Sequence, residues 1–121
     1  SKRLFNWSRN KRKNRLMKKK EANNFFKELY SLIDKRAKSK KKNSYSNLLL
    51  KLGPKKIAQK IGEESNELII DYLKGSNKRV IEETADLIYH IIMLLYSKKI
   101  TIQDIENELK KRRKKNKDVW R

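Results

Sequence analysis

Carboxylates crowd two short stretches of this chain. Glu63, Glu64, Glu67 and Asp71 fall on one segment, and Glu82, Glu83 and Asp86 fall on another. Glu64 and Glu67 stand three residues apart, as do Glu83 and Asp86, so on helices each pair shares a face. If the two segments fold back on one another, the pairs point across the same gap. Acids gathered there repel unless something neutralises them, and a hard divalent cation such as Mg²⁺ prefers such oxygens. The competing reading is an ordinary polar face, solvated or paired with lysines. Asp86 favours the first, because it sits between Ala85 and Leu87 in an apolar stretch and is expected to be partly buried and in need of a partner.

Upstream the charge reverses. Between Asp34 and Glu63 there is no acid, while basic residues run from Lys35 and Arg36 through Lys56 and Lys60. Mg²⁺ is the usual companion of polyphosphate, whose remaining charge needs Lys or Arg. Lys56 and Lys60 are one turn apart, and Lys60 is one turn before Glu64.

The elements that must position these groups read as helices. Phe25, Phe26, Leu29, Tyr30, Leu32 and Ile33 give a first amphipathic helix over about 22–37. Ser44 precedes a short second helix that should stop near Gly53, and Pro54 suits the first turn of a third. Ile57, Ala58, Ile61, Leu68, Ile69, Tyr72 and Leu73 carry that helix to Gly75. Ser76 or Asn77 can cap a fourth, the most apolar, which belongs at the centre of a bundle or in a subunit interface. Thr101 and Asp104 form a capping pair for the last. The expectation is an all-α bundle of four to five helices.

Composition narrows the function further. Among 121 residues there is no Cys and one His, so thiolate zinc sites, Cys nucleophiles and multi-histidine sites are excluded. Three Gly and one Pro leave no Gly-rich phosphate loop. No apolar run nears the roughly 20 residues that span a bilayer, and the expected location is the cytoplasm. The net charge of +20 is uneven: residues 1–20 hold ten basic residues and no acid, and 108–121 hold eight against Glu108 and Asp118. We expect 1–20 to be a disordered basic extension, 21–113 the folded domain and 114–121 a basic tail. Met17 offers an alternative start that would leave 1–16 outside the domain. Lysine-rich ends, with Trp7 and Trp120 available to stack on bases, also suit nucleic acid.

The run Lys60-Ile61-Gly62-Glu63-Glu64-Ser65-Asn66-Glu67, followed by Glu83-Thr84-Ala85-Asp86-Leu87-Ile88-Tyr89-His90, resembles the signature of phosphoribosyl-ATP pyrophosphatases. Leu29 to Arg36, Ser44-Tyr45-Ser46 and Gly53 resemble that family's first helices, so the likeness covers about 25–113. Two departures stand out: Lys40-Lys41-Lys42-Asn43 replaces the family's usual Pro followed by Gly or Asp, and Ser46 stands where a Thr is common. The resemblance implies an all-α fold related to MazG-type pyrophosphohydrolases, assembled as a dimer. It implies Mg²⁺-dependent hydrolysis of phosphoribosyl-ATP to phosphoribosyl-AMP and pyrophosphate, the second step of histidine biosynthesis. Glu64, Glu67, Glu83 and Asp86 are then the metal ligands. The chain has no room for the cyclohydrolase domain often fused to this enzyme, so a monofunctional protein is expected.

In such a reaction water attacks phosphorus and a carboxylate takes the proton; Glu63 and Glu64 are both candidates. Lys56 and Lys60 are placed for phosphate oxygens. Arg36, Ser44 and Tyr45 are candidates for the phosphoribosyl end, with structural roles equally open. His90 could orient Asp86, but its apolar neighbours favour a buried, hydrogen-bonded structural role. Two alternatives stand beside this reading: a pyrophosphohydrolase that clears other nucleoside triphosphates, and a basic helical RNA-binding protein.

Overall fold

A computed structural model describes the backbone of residues 11–41 and 43–115, and side chains from Phe25 to Lys114 except at position 42. Among the described residues it holds five helices and no strand: α1 (Lys11–Lys38), α2 (Tyr45–Leu52), α3 (Pro54–Lys74), α4 (Asn77–Ser97) and α5 (Ile102–Lys115). The expected all-α bundle is the observed one. Its first helix, however, begins at Lys11 rather than near 22. Nothing in the sequence stops it, since no Gly or Pro precedes Gly53 and Lys, Arg, Leu and Met are good helix formers. The stretch 11–20, expected to be disordered, is therefore helical in backbone. Residues 1–10 with Trp7, and 116–121 with Trp120, lie outside the described residues.

Helix ends follow local chemistry. Ser44 Oγ accepts from Asn47 N at 3.2 Å to cap α2, and Ser76 Oγ accepts from Arg79 N at 3.2 Å to cap α4. Gly53, with φ of 93°, turns directly from α2 into Pro54 at the start of α3. Gly75 is needed for another reason: a Cβ there would lie 2.9 Å from the Asp71 carbonyl oxygen. Before α5, Thr101 N donates to Asp104 Oδ2 at 2.9 Å and Asp104 N donates to Thr101 Oγ1 at 3.1 Å, the expected reciprocal cap.

The core is small. Ile33, Leu49, Ile57, Ile92 and Met93 are buried together, one or two from each of the first four helices, and Leu29, Ile61, Ile88 and Ile102 pack around them. Asn47, also buried, fastens the connector between α1 and α2 by donating to the Arg36 and Lys41 carbonyls at 2.9 and 3.4 Å. The most extensive packing joins α3 to α4, with α1 and α2 leaning on that hairpin and α5 mainly on α1. At 21 residues each, α3 and α4 outreach the eight-residue α2 by about 20 Å, at roughly 1.5 Å per residue. The far end of the hairpin consequently leaves Ile69, Ile70, Tyr72, Leu73 and Ile81 more than half exposed.

Candidate active site

The hairpin through Gly75 brings the two acidic segments face to face. Oxygens of Glu64, Glu83 and Asp86 all lie within 4.8 Å of one another. Glu67 is the fourth expected ligand. It stands outside that trio, on an exposed turn, yet its carboxylate crowds Glu83. Glu64 and Glu83 are only 8% and 3% exposed, and Glu64 Oε2 and Glu83 Oε2 are buried without a hydrogen-bond partner. Asp86, expected to be partly buried, is exposed: α4 turns its 85–86 edge outward, away from the core packed under Ile88 and Ile92.

Burial, reinforced by the carboxylates of Glu67 and Glu64, pushes the Glu83 carboxyl up to about 7. Arg79 opposes this. Its guanidinium reaches Glu83 at 2.5 Å, Glu82 at 3.3 Å and Asp71 at 3.7 Å, closing the mouth of the hairpin. The sequence reading missed Arg79, although its spacing of one turn before Glu83 was the available signal. On the other side, Lys60 Nζ lies 3.7 Å from Glu64 and 3.4 Å from Glu63.

Glu63 itself points elsewhere. It is exposed, accepts from Gln59 Nε2 at 2.8 Å, and is held below the usual carboxylate range by that bond and by Lys60. Glu64, with an unpartnered oxygen among the clustered acids, is the better placed of the two candidate bases.

The start of α2 reaches the same region. The Tyr45 hydroxyl meets His90 Nε2 at 2.8 Å, its ring stacks on Tyr89 at 6.1 Å between centroids, and burial raises its pKa while nearby Lys60 lowers it. His90, 5% exposed, places Nδ1 2.7 Å from the backbone carbonyl of Asp86, not from its carboxylate. A carbonyl only accepts, so Nδ1 carries the proton and, in the neutral ring, Nε2 accepts from Tyr45. The histidine is thus the expected buried structural one, and it ties Tyr45 to the helix bearing the acids. Ser44 uses its hydroxyl on the α2 cap and on Ser46 Oγ at 3.0 Å. Lys56 is half-buried on α3, and Arg36 is exposed at the end of α1, where its carbonyl receives Asn47.

An all-oxygen set with two buried orphan oxygens fits a divalent cation. Such oxygens are the ligands that a hard divalent cation such as Mg²⁺ would take. Residues 26–113 match the family model described as phosphoribosyl-ATP pyrophosphohydrolase. The chain belongs to that family. It is 45% identical over 94 residues to the phosphoribosyl-ATP pyrophosphatase of Sulfolobus acidocaldarius, an alignment covering 78% of this chain and 99% of that one. With the phosphoribosyl-ATP pyrophosphatase of Clostridium novyi it shares 43% over 88 residues, 73% of this chain and 80% of the relative. The histidine biosynthesis bifunctional protein HisIE of Bacteroides thetaiotaomicron is 48% identical over 88 residues, 73% of this chain and 43% of that longer protein. The family match takes in every clustered acid and leaves out the basic first half of α1.

Proposed function

We propose that this pyrophosphohydrolase-family chain cleaves phosphoribosyl-ATP to phosphoribosyl-AMP and pyrophosphate with Mg²⁺, the second step of histidine biosynthesis, in the cytoplasm. The observation that carries the reading is the trio Glu64, Glu83 and Asp86 with its two buried, unpartnered oxygens, set in a sequence whose relatives bear that enzyme's name. These three, with Glu67 beside them, would hold the cation. When bound it supplies positive charge to phosphate oxygens and makes a water easier to deprotonate. Glu64 accepts the water's proton on its free oxygen. Lys60, already at the rim of the acids, exchanges its salt bridge for a phosphate oxygen, with Lys56 one turn behind. Tyr45 and Arg36 flank the phosphoribosyl end, and Ser44 shapes that edge through its cap. The exposed Ile69, Ile70, Tyr72, Leu73 and Ile81 support a homodimer built on the far end of the hairpin, tested by sedimentation.

The deciding experiment measures pyrophosphate release from phosphoribosyl-ATP, ATP and dATP with Mg²⁺, using wild type and Glu64→Gln. Turnover of phosphoribosyl-ATP alone, lost in the variant, is the expected result. Turnover of the plain triphosphates instead would move the chain to nucleotide clearance, and full activity in Glu64→Gln would remove Glu64 from the mechanism.

A further inference from the structure

Each helix of the acidic hairpin carries a cation one turn before a buried acid. On α3 Lys60 precedes Glu64, and on α4 Arg79 precedes Glu83. Because α3 and α4 run in opposite directions through the turn at Gly75, the two cations stand at opposite ends of the acids. Lys60 lies toward α2, where the Tyr45 hydroxyl meets His90, one turn beyond Asp86. Arg79 lies toward the turn, with Nε 3.7 Å from Asp71. Asp71 comes eleven residues after Lys60, about 16 Å along the helix. The proposed chemistry uses the first cation and leaves the second without a task.

A purely structural partner would satisfy Glu83. Arg79 does not: Nη2 donates to Glu83 Oε1 at 2.5 Å, while Glu83 Oε2 stays buried with no donor. The rest of the guanidinium goes to the rim, where Nη1 lies 3.3 Å from the exposed Glu82, and about half of the side chain faces solvent. Rim bridges of this kind are weak and readily exchanged. The charge balance points the same way. Glu64, Glu67, Glu83 and Asp86 together outweigh one divalent ion and Lys60 before any phosphate arrives. A polyphosphate lying along the hairpin therefore needs more positive charge beside it, and at the turn end Arg79 is placed to give it. The planar fork of an arginine also fits two phosphate oxygens at once, which a lysine does not.

We propose that Arg79 binds the departing pyrophosphate, turning its fork from Glu83 to phosphate oxygens once that carboxylate serves a cation. This rests on the reading above, in which Tyr45 flanks the phosphoribosyl end, so that the other end of the triphosphate points to the turn. The test follows binding of inorganic pyrophosphate with Mg²⁺ to the full chain by calorimetry, beside Arg79→Gln and Arg79→Lys, with Mg²⁺ alone as a second titration. Arg79→Gln should weaken pyrophosphate binding at least ~10-fold, as loss of a charge-assisted contact requires. It should bind Mg²⁺ as tightly as wild type or more so, since a positive charge beside Glu83 is gone. Arg79→Lys keeps that charge, which guards against loss of the fold, and its pyrophosphate affinity should fall between the other two. No pyrophosphate binding by wild type, unchanged binding in Arg79→Gln, or binding fully kept in Arg79→Lys would each overturn the proposal. So would Mg²⁺ and pyrophosphate affinity falling together, the mark of a residue that only orients Glu83. If phosphoribosyl-ATP is not turned over while pyrophosphate binding still depends on Arg79, the enzymatic reading fails and the phosphate site stands.

Discussion

Asp34 and Glu83 are both carboxylates on helices that face the inside of the bundle, and the fold treats them in opposite ways. Asp34 accepts from Tyr96 Oη at 2.8 Å and Lys38 Nζ at 3.1 Å, and those bonds hold its carboxyl below the usual range. Glu83 keeps one buried oxygen without a donor, stands among other acids, and is pushed up to about 7 despite Arg79. A satisfied carboxylate supports folding, whereas a buried orphan lowers stability and persists only where another requirement holds it there. The end of the bundle around Asp34 satisfies its carboxylate, and the middle of the α3–α4 hairpin leaves its own without a donor, which is what the proposed cation site requires.

The largest expected effect comes from removing the orphan. Glu83→Gln should lower pyrophosphate release by more than ~100-fold while leaving the metal-free melting temperature equal to or above that of wild type, because the variant sheds a buried charge whose burial and acidic neighbours outweigh its pairing with Arg79. Calorimetry with chelator, run beside the activity assay, separates the two quantities. A variant that loses both together would make Glu83 a structural residue and erase the contrast with Asp34.

The pH dependence sharpens it. The Glu83 carboxyl is raised from 4.5 to about 7, so between those values the folded chain binds more protons than the unfolded one. Stability must then fall as pH rises through that window. For Asp34 the shift is downward from 3.8, so its contribution is present above that pH and is lost only as pH drops below it. Metal-free melting temperatures taken from pH 4.5 to 8 should therefore decline more in wild type than in Glu83→Gln. Millimolar Mg²⁺ should raise the melting temperature more at pH 8 than at pH 5.5, since protons and metal compete for the same oxygens. Parallel curves for wild type and variant would show that Glu83 is not the strained group.

Much of this was legible in the residues. Helix order, the Gly53–Pro54 and Gly75–Ser76 breaks and the Thr101–Asp104 cap depend on local rules, and each appears where the sequence places it. The facing of the two acid pairs was legible too, because a three-residue spacing and a short turn leave few alternatives. Burial was less so. Asp86 looked internal between Ala85 and Leu87, yet which side of an apolar helix is covered depends on its neighbours, and the short α2 leaves that edge bare. Asn47 gave no signal, because the carbonyls it reaches come together only after α1 and α2 pack. The helical backbone of α1 from Lys11 was not legible in the charge, because the backbone follows helix propensity when no breaker intervenes.

A smaller effect is expected at the structural end. Tyr96→Phe removes the donor to Asp34 and leaves the ring packed edge-on to Tyr30 at 5.4 Å. One part-buried hydrogen bond is worth about 1 kcal/mol, so the melting temperature should drop by several degrees with kcat unchanged. A fall in kcat would mean that this region serves the site after all.

The smallest effect tests how far the structural end has been optimised. Lys99 follows α4 with φ of 59°, the left-handed region that a side chain disfavours. Its N–H donates to the Tyr96 carbonyl at 2.9 Å and the Ile100 N–H donates to the Leu95 carbonyl at 2.9 Å, the paired bonds of a Schellman ending in which Gly is the usual residue. The bonds hold the turn, and the lysine side chain carries its conformational cost. Lys99→Gly keeps both bonds and removes that cost, while giving the unfolded chain more freedom, so the net gain should be about 0.5 kcal/mol. Because Lys99 lines the same hollow as Asp34 and Tyr96, remote from the clustered acids, activity should stay at the wild-type level. A gain in stability accompanied by lost turnover would place a substrate contact in that hollow, and the division between a structural end and a chemical middle would have to be redrawn.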